Sequence, residues 1–327
     1  MDIIQAGHIM LTHPDHLRLP HPPELDHGAA FCNGSYTSYD DATVPMWDMG
    51  FVHADGAYDV VSVSKGWFFR LEEHLDRFEK SCESFMLVNP HSRQETIEIL
   101  NELVRRAGLR DAYVWFGVTR GAPPSKRNQA TQQPHRFYAY ATPYSYIADD
   151  EARTRGFDLL ISQKYIRIPP AAVDPRAKNF HWMDMKLSIY EAVMQGCDWS
   201  VLTDQDGYLA EAPGSNIFLI KGNTLFTPEY GCLEGITRST TLDLAREMGL
   251  ETRVERVHAD QLREADEAFL TSTAGGIMPI RTVDGQLLGA GDNWAKVAQL
   301  HDLCWTKRWD GWLGTPVNYE QQLEAAE

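Results

Sequence analysis

The chain has 327 residues, of which 43% are hydrophobic and 23% are charged, a composition typical of a folded protein with a sizeable core and two domains. Its formal net charge of −16 argues against nucleic acid and anionic membrane surfaces as partners. No apolar run is long enough to span a bilayer, and the first residues lack a secretory signal pattern. The five cysteines are scattered and form no Cys-x-x-Cys pair, which favours reduced thiols in a cytoplasmic protein.

Residues 1–30 are rich in histidine and proline. The histidine spacings fit no familiar metal-ligand pattern, so we expect an extended, loosely ordered N-terminal arm and no metal site. Residues 31–44 predict a β-hairpin with its turn at Asn33-Gly34. Residues 50–60 combine two glycines with His, Tyr and Asp, a composition that fits either a ligand-lining loop or a polar turn before a strand.

Apolar residues recur at helical spacing over residues 71–85, and a second helix is predicted over residues 93–107. Arg77 lies beside the apolar stripe of the first helix, where it either binds an anion or extends its guanidinium to solvent. Residues 111–121 predict a strand, whose alternation places Tyr113 and Trp115 on one face.

Residues 122–134 are polar and contain three prolines, which predicts a mobile loop carrying Lys126 and Arg127. A further strand ends the first half of the chain. We therefore predict a small α+β domain over residues 31–146, a charged interdomain connector over residues 147–156, and a larger, strand-rich domain over residues 157–327.

Lys178 follows a proline-bearing turn and has apolar and aromatic neighbours. Desolvation by such neighbours favours the neutral amine, which is a nucleophile for aldehydes. Most lysines are solvated surface charges, so this position alone proves little. A helix is predicted to follow over residues 183–195.

Three further features accompany Lys178. Glu211 is a lone carboxylate in a turn, Gly235-Ile236-Thr237 opens a helix, and a strand runs into the hydroxyls and glycines of Thr273–Gly276. A helix start can be a plain cap or a phosphate site, and a glycine-rich nest also suits an anion. Pyridoxal phosphate (PLP) needs a lysine for its aldehyde, a carboxylate for its ring nitrogen, and amides and hydroxyls for its phosphate.

These motifs occur in an order and spacing that resemble the class IV (fold-type IV) PLP-dependent aminotransferases, with the (R)-selective amine transaminases as the most similar group. The resemblance covers about residues 31–315 and rests on the following segments: Phe51-x-His53-x-Asp55-x-x-Tyr58-Asp59-Val60, Phe69-Arg70-Leu71, Val173-Asp174-Pro175-x-x-Lys178-Asn179-x-x-Trp182 and Thr273-Ala274-Gly275-Gly276-Ile277. It implies the D-amino acid aminotransferase-like fold, with a small α+β domain and a larger pseudo-barrel domain. It also implies a cofactor between the domains and a homodimer whose active site lies near the interface.

The resemblance also implies roles for individual residues. Lys178 is the catalytic residue and carries the cofactor aldehyde as a Schiff base. The other cofactor-binding residues are Arg77, Glu211, Asn216, Ile236, Thr237 and Thr273. The substrate pockets are lined by His53, Tyr58, Val60, Tyr113, Trp115, Trp182 and Ala274.

Trp115 departs from the family pattern. The amino-acid transaminases place a cationic residue on this strand to bind a carboxylate, and several (R)-amine transaminases have Glu there. We therefore infer a pocket that accepts apolar or aromatic groups. The keto-acid acceptor still needs a cation, for which Arg127, Lys126 and His53 are candidates.

The predicted activity is ping-pong transfer of an amino group from a primary, (R)-configured amine to a keto acid such as pyruvate. A branched-chain or D-amino acid transaminase is the main alternative. An aminodeoxychorismate lyase keeps the same lysine but needs an anionic substrate pocket, which Trp115 disfavours. Retention of the lysine, the ring carboxylate and the phosphate groups together argues against a non-enzymatic PLP carrier.

Overall fold

The computed structural model describes residues 4–123, 134–289 and 294–320. The chain divides into two compact units. Unit A comprises Gln5–Ser145, Ala177–Phe180 and Lys307–Glu327. Unit B comprises Met1–Ile4, Tyr146–Arg176 and His181–Thr306. The short segment that carries Lys178 therefore groups with unit A, although the sequence around it continues into unit B.

Unit A contains a seven-stranded antiparallel sheet in the order β15-β4-β3-β5-β6-β1-β2. Its strands are β1 Ala29–Cys32, β2 Ser35–Ser38, β3 Gly56–Ser64, β4 Trp67–Phe69, β5 Ala112–Thr119, β6 Arg136–Pro143 and β15 Gly314–Pro316. Its helices are α1 Ala6–Thr12, α2 Met49–His53, α3 Leu71–Ser84 and α4 Arg93–Arg106, with two short 3-10 turns at Pro14–His16 and Pro23–Leu25.

The two faces of strand β5 have different roles. Val114, Phe116 and Val118 are fully buried in a core that also contains the apolar side chains of α3 and α4. Trp115 and Tyr113 point to the opposite face, as the alternation predicts. The predicted hairpin is also confirmed, because β1 and β2 pair on either side of Asn33 and Gly34, which both have positive φ.

The N-terminal segment differs from the expected loose, extended arm. It contains helix α1, and the imidazole of His16 is buried with its Nδ1 2.7 Å from Asp111 Oδ2. The amide of Leu19 donates to the carbonyl of Gly108 at 2.8 Å. These long-range contacts hold the segment against the rest of unit A, and local composition gave no sign of them.

Unit B contains an eight-stranded mixed sheet in the order β11-β10-β9-β12-β13-β7-β8, with β14 paired to β13. Its strands are β7 Phe157–Ile161, β8 Trp199–Val201, β9 Asn216–Lys221, β10 Thr224–Pro228, β11 Glu251–Glu255, β12 Glu267–Ser272, β13 Gly276–Val283 and β14 Gln286–Leu287. The helices are α5 Asp150–Arg155, α6 Met183–Met194, α7 Ile236–Glu247, α8 Ala259–Arg263 and α9 Ala295–Trp309, of which α9 continues into unit A. The predicted connector, residues 147–156, holds helix α5 and contributes Ala148 and Ala152 to the core of unit B.

No helix within the described ranges is long and apolar enough to cross a membrane. Within the same ranges, no group of three or more His, Cys, Asp or Glu side chains is arranged to hold a metal ion.

Candidate active site

Lys178 lies in unit A, in a segment that pairs with strand β3. Its carbonyl accepts from the amide of Tyr58 at 3.1 Å, and its own amide donates to Ser81 Oγ at 3.0 Å. The ammonium nitrogen lies 4.6 Å from the centroid of the Tyr58 ring. The backbone of Lys178 is thus fixed from both sides, while its half-buried side chain extends over an aromatic face.

Helix α3 connects Lys178 to Arg77. Ser81 Oγ, which accepts from Lys178, donates in turn to the carbonyl of Arg77 at 2.7 Å. The structure therefore brings the predicted catalytic lysine and the predicted phosphate-binding arginine to the same part of unit A. Ser81 is fully buried, and nothing in the sequence pattern singled it out.

The guanidinium of Arg77 is held by Asp59, a fully buried carboxylate on strand β3. Arg77 Nε donates to Asp59 Oδ2 and Nη2 to Oδ1, both at 2.8 Å, and His74 Nδ1 lies 2.7 Å from Asp59 Oδ1. Burial raises the pKa of Asp59, but the charges and hydrogen bonds of Arg77 and His74 outweigh it and hold this pKa well below its usual range. Burial lowers the pKa of His74 despite the adjacent carboxylate.

An aromatic wall lies on the face of the unit A sheet that is opposite the core. The Trp115 ring stacks on Tyr140 at 5.5 Å with an interplanar angle of 8°, and on Tyr58 at 5.7 Å and 22°. Tyr113 also stacks on Tyr140, at 6.3 Å and 27°. The indole lies over Gly117, where an added Cβ would be 2.7 Å from Trp115 Cη2. Val60, buried at 6% exposure, pairs with Trp115 across the strands.

A cavity of about 370 Å³ adjoins this wall within unit A. Its described lining includes Trp115, Tyr140, Phe51 and Phe180, of which Phe180 follows Lys178 by two residues. No described lining residue carries a charge, and the lining surface is almost entirely apolar. The cavity therefore suits a neutral apolar group.

His53 ends the short helix α2 and is exposed. Buried Asp48 holds the start of this helix, accepting from the Gly50 amide at 2.8 Å and from the hydroxyls of Thr119 and Tyr138, each at 3.0 Å. Helix α2 is thus rigidly attached to the sheet.

In unit B, Glu211 is buried with its carboxylate in defined contacts. Oε1 accepts from Arg167 Nε at 2.8 Å, and Oε2 accepts from the Leu233 amide at 3.1 Å. Arg167 also donates through Nη1 to Asp184 Oδ2 at 2.7 Å. Burial lowers the pKa of Arg167, but the charges of Glu211 and Asp184 outweigh it and raise this pKa above its usual value. A carboxylate has about four acceptor positions, so Glu211 suits the ring nitrogen of PLP as a further donor.

Asn216 supports the loop that enters helix α7. Its Nδ2 donates to the Leu233 carbonyl at 2.7 Å, and its Oδ1 occupies the space that a Cβ at Gly235 would need. Gly235 is the N-cap residue of α7 and provides no side-chain acceptor for the first-turn amides, which include those of Ile236 and Thr237. This helix start fits a phosphate group.

The predicted hydroxyl-glycine nest lies at the end of β12. The Ala274 amide donates to Ser272 Oγ at 3.3 Å, and both Gly275 (φ 147°) and Gly276 (φ 68°) adopt positive φ. Strand β12 pairs with β9, with Thr271 opposite Asn216, so Thr273 follows this pair by two residues. Trp182 precedes helix α6, and its ring would lie 3.1 Å from a Cβ at Gly214.

Arg127 and Lys126, the candidate carboxylate ligands of the 122–134 loop, lie outside the described residues.

The sequence did not identify three residues that contact the predicted site residues. They are Ser81, His74 and Arg167. Each acts through a partner that is distant along the chain or on another element, so no local motif identifies them.

The chain matches the aminotransferase class IV family over residues 56–283. It is 34% identical over 272 residues to a branched-chain-amino-acid aminotransferase of Pseudomonas aeruginosa, covering 81% of this chain and 87% of that protein. It is 28% identical over 261 residues to a D-alanine aminotransferase of Bacillus licheniformis, covering 79% of this chain and 89% of that protein.

Among solved structures, the branched-chain amino acid aminotransferase of Thermobaculum terrenum in its PLP form superimposes with a TM-score of 0.79 at 25% identity. The alignment covers 90% of this chain and 99% of that chain. The branched-chain amino acid aminotransferase of Escherichia coli gives a TM-score of 0.79 at 26% identity, and the alignment covers 86% of this chain and 94% of that chain. The predicted fold is thereby confirmed. The chain belongs to the class IV aminotransferases, a family of pyridoxal phosphate-dependent enzymes.

Proposed function

We propose that this aminotransferase moves an amino group from an apolar primary amine, (R)-configured, to a keto acid such as pyruvate by a ping-pong mechanism. The observation that carries the proposal is Trp115. This uncharged indole lies flat in an aromatic stack and lines an apolar cavity, where an amino-acid transaminase needs a cation for its substrate carboxylate. The (R) configuration is supported by the sequence motifs around His53, Tyr58 and Lys178.

The cofactor-binding residues have separate roles. Lys178 would hold the aldehyde of PLP and would move the proton at the reacting carbon of the substrate. Arg77, the first-turn amides of Ile236 and Thr237, and the Thr273 hydroxyl would bind the phosphate, and Glu211 would accept from the ring nitrogen. Asn216 supports the phosphate loop through Leu233 and Gly235. PLP, when bound, supplies the electron sink for the charge that develops on the substrate carbon.

The aromatic wall and the cavity beside it bind the apolar substituent of the amine. Tyr58, Val60, Tyr113, Trp115, Trp182 and Ala274 are the proposed pocket residues. Burial raises the pKa of Tyr140 to about 12, so this residue adds no charge to the wall near neutral pH. The keto-acid carboxylate is proposed to bind Arg127, with Lys126 and His53 as the other candidates.

We also propose a homodimer with the active site near its interface, as the family resemblance implies. The feature of unit A that supports it is helix α2, which is held rigidly by Asp48 yet exposes Phe51 at 72% and Val52 at 50%. Rigidly held apolar side chains in solvent are typical of a protein–protein contact. Sedimentation velocity of the native protein and of Phe51→Asp tests this, and a monomeric native protein contradicts it.

The function is tested by a half-reaction without acceptor. The PLP-loaded protein is mixed separately with (R)-1-phenylethylamine, its (S) enantiomer, D-alanine and L-leucine, and the loss of the cofactor's visible absorbance is followed. Fast loss of this absorbance with the (R)-amine alone supports the proposal.

The Lys178→Ala variant is expected to bind PLP without the visible absorbance band of the native protein and to lose turnover. Normal turnover in that variant contradicts the assignment of Lys178.

A branched-chain or D-amino acid transaminase is the second candidate, and the relatives of the chain favour it. Fast reaction with L-leucine or D-alanine and none with the amines would establish it, and would require a carboxylate-binding cation other than a residue at position 115. An aminodeoxychorismate lyase is less well supported. It predicts pyruvate release from an aminochorismate without any amino acceptor.

A further inference from the structure

We infer that Arg167 is a positioning residue that holds Glu211 as an ionised, correctly oriented acceptor for the ring nitrogen of PLP. The inference rests on the proposed role of Glu211.

Arg167 is fixed in a buried position between β7 and α6. Its amide donates to the Thr203 carbonyl at 2.9 Å, which fixes its backbone against the strand region before Glu211. Its side chain is only 5% exposed. An arginine is rarely buried to this extent unless its charge is compensated, so its partners determine what it does.

The guanidinium of Arg167 contacts two carboxylates. Nε donates to Glu211 Oε1 at 2.8 Å, and Nη1 donates to Asp184 Oδ2 at 2.7 Å. Asp184 is itself held, because its Oδ2 accepts from the Ile168 amide and its Oδ1 from the Met185 amide. Arg167 on Oε1 and the Leu233 amide on Oε2 together hold both oxygens of Glu211, and the contact of Arg167 with Asp184 holds the guanidinium in place.

The charges of Arg167, Glu211 and Asp184 do not cancel. One guanidinium and two carboxylates leave a net charge of −1 in a largely buried place. A protonated ring nitrogen on Glu211 brings this charge to zero. Without Arg167, Glu211 would lose the cation that stabilises its ionised form and would lie near a second carboxylate. Its proton affinity would rise, so the proton would move from the ring nitrogen toward Glu211.

The test measures the nitrogen-15 chemical shift of the ring nitrogen in protein loaded with [15N]PLP, together with the PLP dissociation constant. We expect the protonated shift in the native protein. In Arg167→Met the shift should move toward the unprotonated value, and the PLP dissociation constant should rise by about tenfold or more. Arg167→Lys keeps a charge but not the fork of donors, and should give an intermediate shift.

Arg281→Met is the matched control in the same unit. It removes an arginine that donates to Asp158 at 2.7 Å, in an ion pair that does not involve Glu211. This variant should keep the native nitrogen-15 shift. If Arg167→Met does not fold, Arg167→Lys still gives the measurement, since it keeps a positive charge and removes the Nε donor of Glu211.

The outcomes separate this inference from the proposed function. The proposed role of Glu211 is wrong if the ring nitrogen of the native protein is unprotonated. It is also wrong if Glu211→Gln leaves the nitrogen-15 shift unchanged. A protonated native nitrogen that responds to Glu211→Gln but is unchanged in Arg167→Met and Arg167→Lys overturns the inference on Arg167 alone.

Discussion

Ser81 Oγ accepts a hydrogen bond from the amide of Lys178 at 3.0 Å and donates one to the carbonyl of Arg77 at 2.7 Å. A single buried hydroxyl therefore joins the lysine segment to the helix that carries the phosphate arginine. The two proposed cofactor ligands share one rigid connection, so a change at Ser81 should affect both.

Ser81→Ala should weaken PLP binding and slow turnover without abolishing either. The variant leaves the Lys178 amide without its hydroxyl acceptor, which costs about 1–3 kcal/mol. Where this cost falls on the PLP-bound protein, PLP binds roughly fivefold to hundredfold more weakly. The PLP dissociation constant, measured by absorbance, checks it.

Ser84→Ala provides the control for Ser81→Ala. Ser84 lies on the same helix, is exposed, and donates to the Lys80 carbonyl. The variant should bind PLP as the native protein does. Equal effects of the two substitutions would show that the helix itself is responsible and not the Ser81 connection.

His74 should make the protein sensitive to mild acid. Its pKa in the folded state is lowered by burial, so the unfolded chain binds a proton more readily as pH falls below about 6.5, the ordinary histidine value. The contribution of His74 to the free energy of unfolding is fully present above that pH. Below it the free energy of unfolding decreases, by up to about 1.4 kcal/mol per pH unit. The melting temperature of apo-protein between pH 7.5 and 5 measures this.

In His74→Gln the acid-dependent loss between pH 7.5 and 5 should be smaller than in the native protein. Exposed His27 provides the control, because its side chain is 73% exposed and His27→Gln should keep the native profile. Parallel profiles for native protein and His74→Gln would contradict the role of this buried imidazole.

Asp59 affects stability at lower pH than His74 does. Its pKa is lowered in the folded protein, so its contribution to the free energy of unfolding is present above about pH 4 and is lost as the pH falls further.

Gly235→Ala should damage the start of helix α7. The new Cβ would overlap Asn216 Oδ1, so either Asn216 or the loop must move, at a cost of about 1–3 kcal/mol. We expect weaker binding of PLP, and also of inorganic phosphate in the apo-protein, measured by isothermal titration. The double variant Gly235→Ala/Asn216→Ser relieves the clash, and it should recover part of the phosphate affinity; a double variant weaker than both single ones would disagree with this account.

The sequence predicted those parts of the fold that depend on local order. Alternation in residues 111–121 correctly placed Tyr113 and Trp115 on one face, and helical spacing correctly located α3 and α4. The fold itself followed from motifs whose order and spacing are specific to one family. These signals are local, or they repeat along the chain, so they can be read without knowing distant contacts.

The remaining features depend on contacts between distant residues. Arg167 meets Glu211 across 44 positions and Asp184 across 17, and its own neighbours in sequence are apolar residues and prolines. His16 meets Asp111 across 95 positions, so a histidine-rich segment that suggested disorder is in fact anchored. Alternation gave the face of Trp115 but not the tilt of its ring over Gly117, which depends on packing against Tyr58 and Tyr140.

Trp115→Arg should move donor preference from apolar amines to α-amino acids. A charged hydrogen bond to a carboxylate is worth about 2–3 kcal/mol, on the order of a hundredfold in affinity, and loss of the indole removes the flat apolar surface beside the cavity. Half-reaction rates with (R)-1-phenylethylamine and with D-alanine and L-leucine give the ratio. Trp115→Phe keeps an uncharged ring and should keep the amine preference, with a lower rate. If Trp115→Arg instead left the ratio of amine to amino-acid rates unchanged, the donor's substituents would not reach this strand, and the specificity assigned to Trp115 would have to move to another part of the pocket.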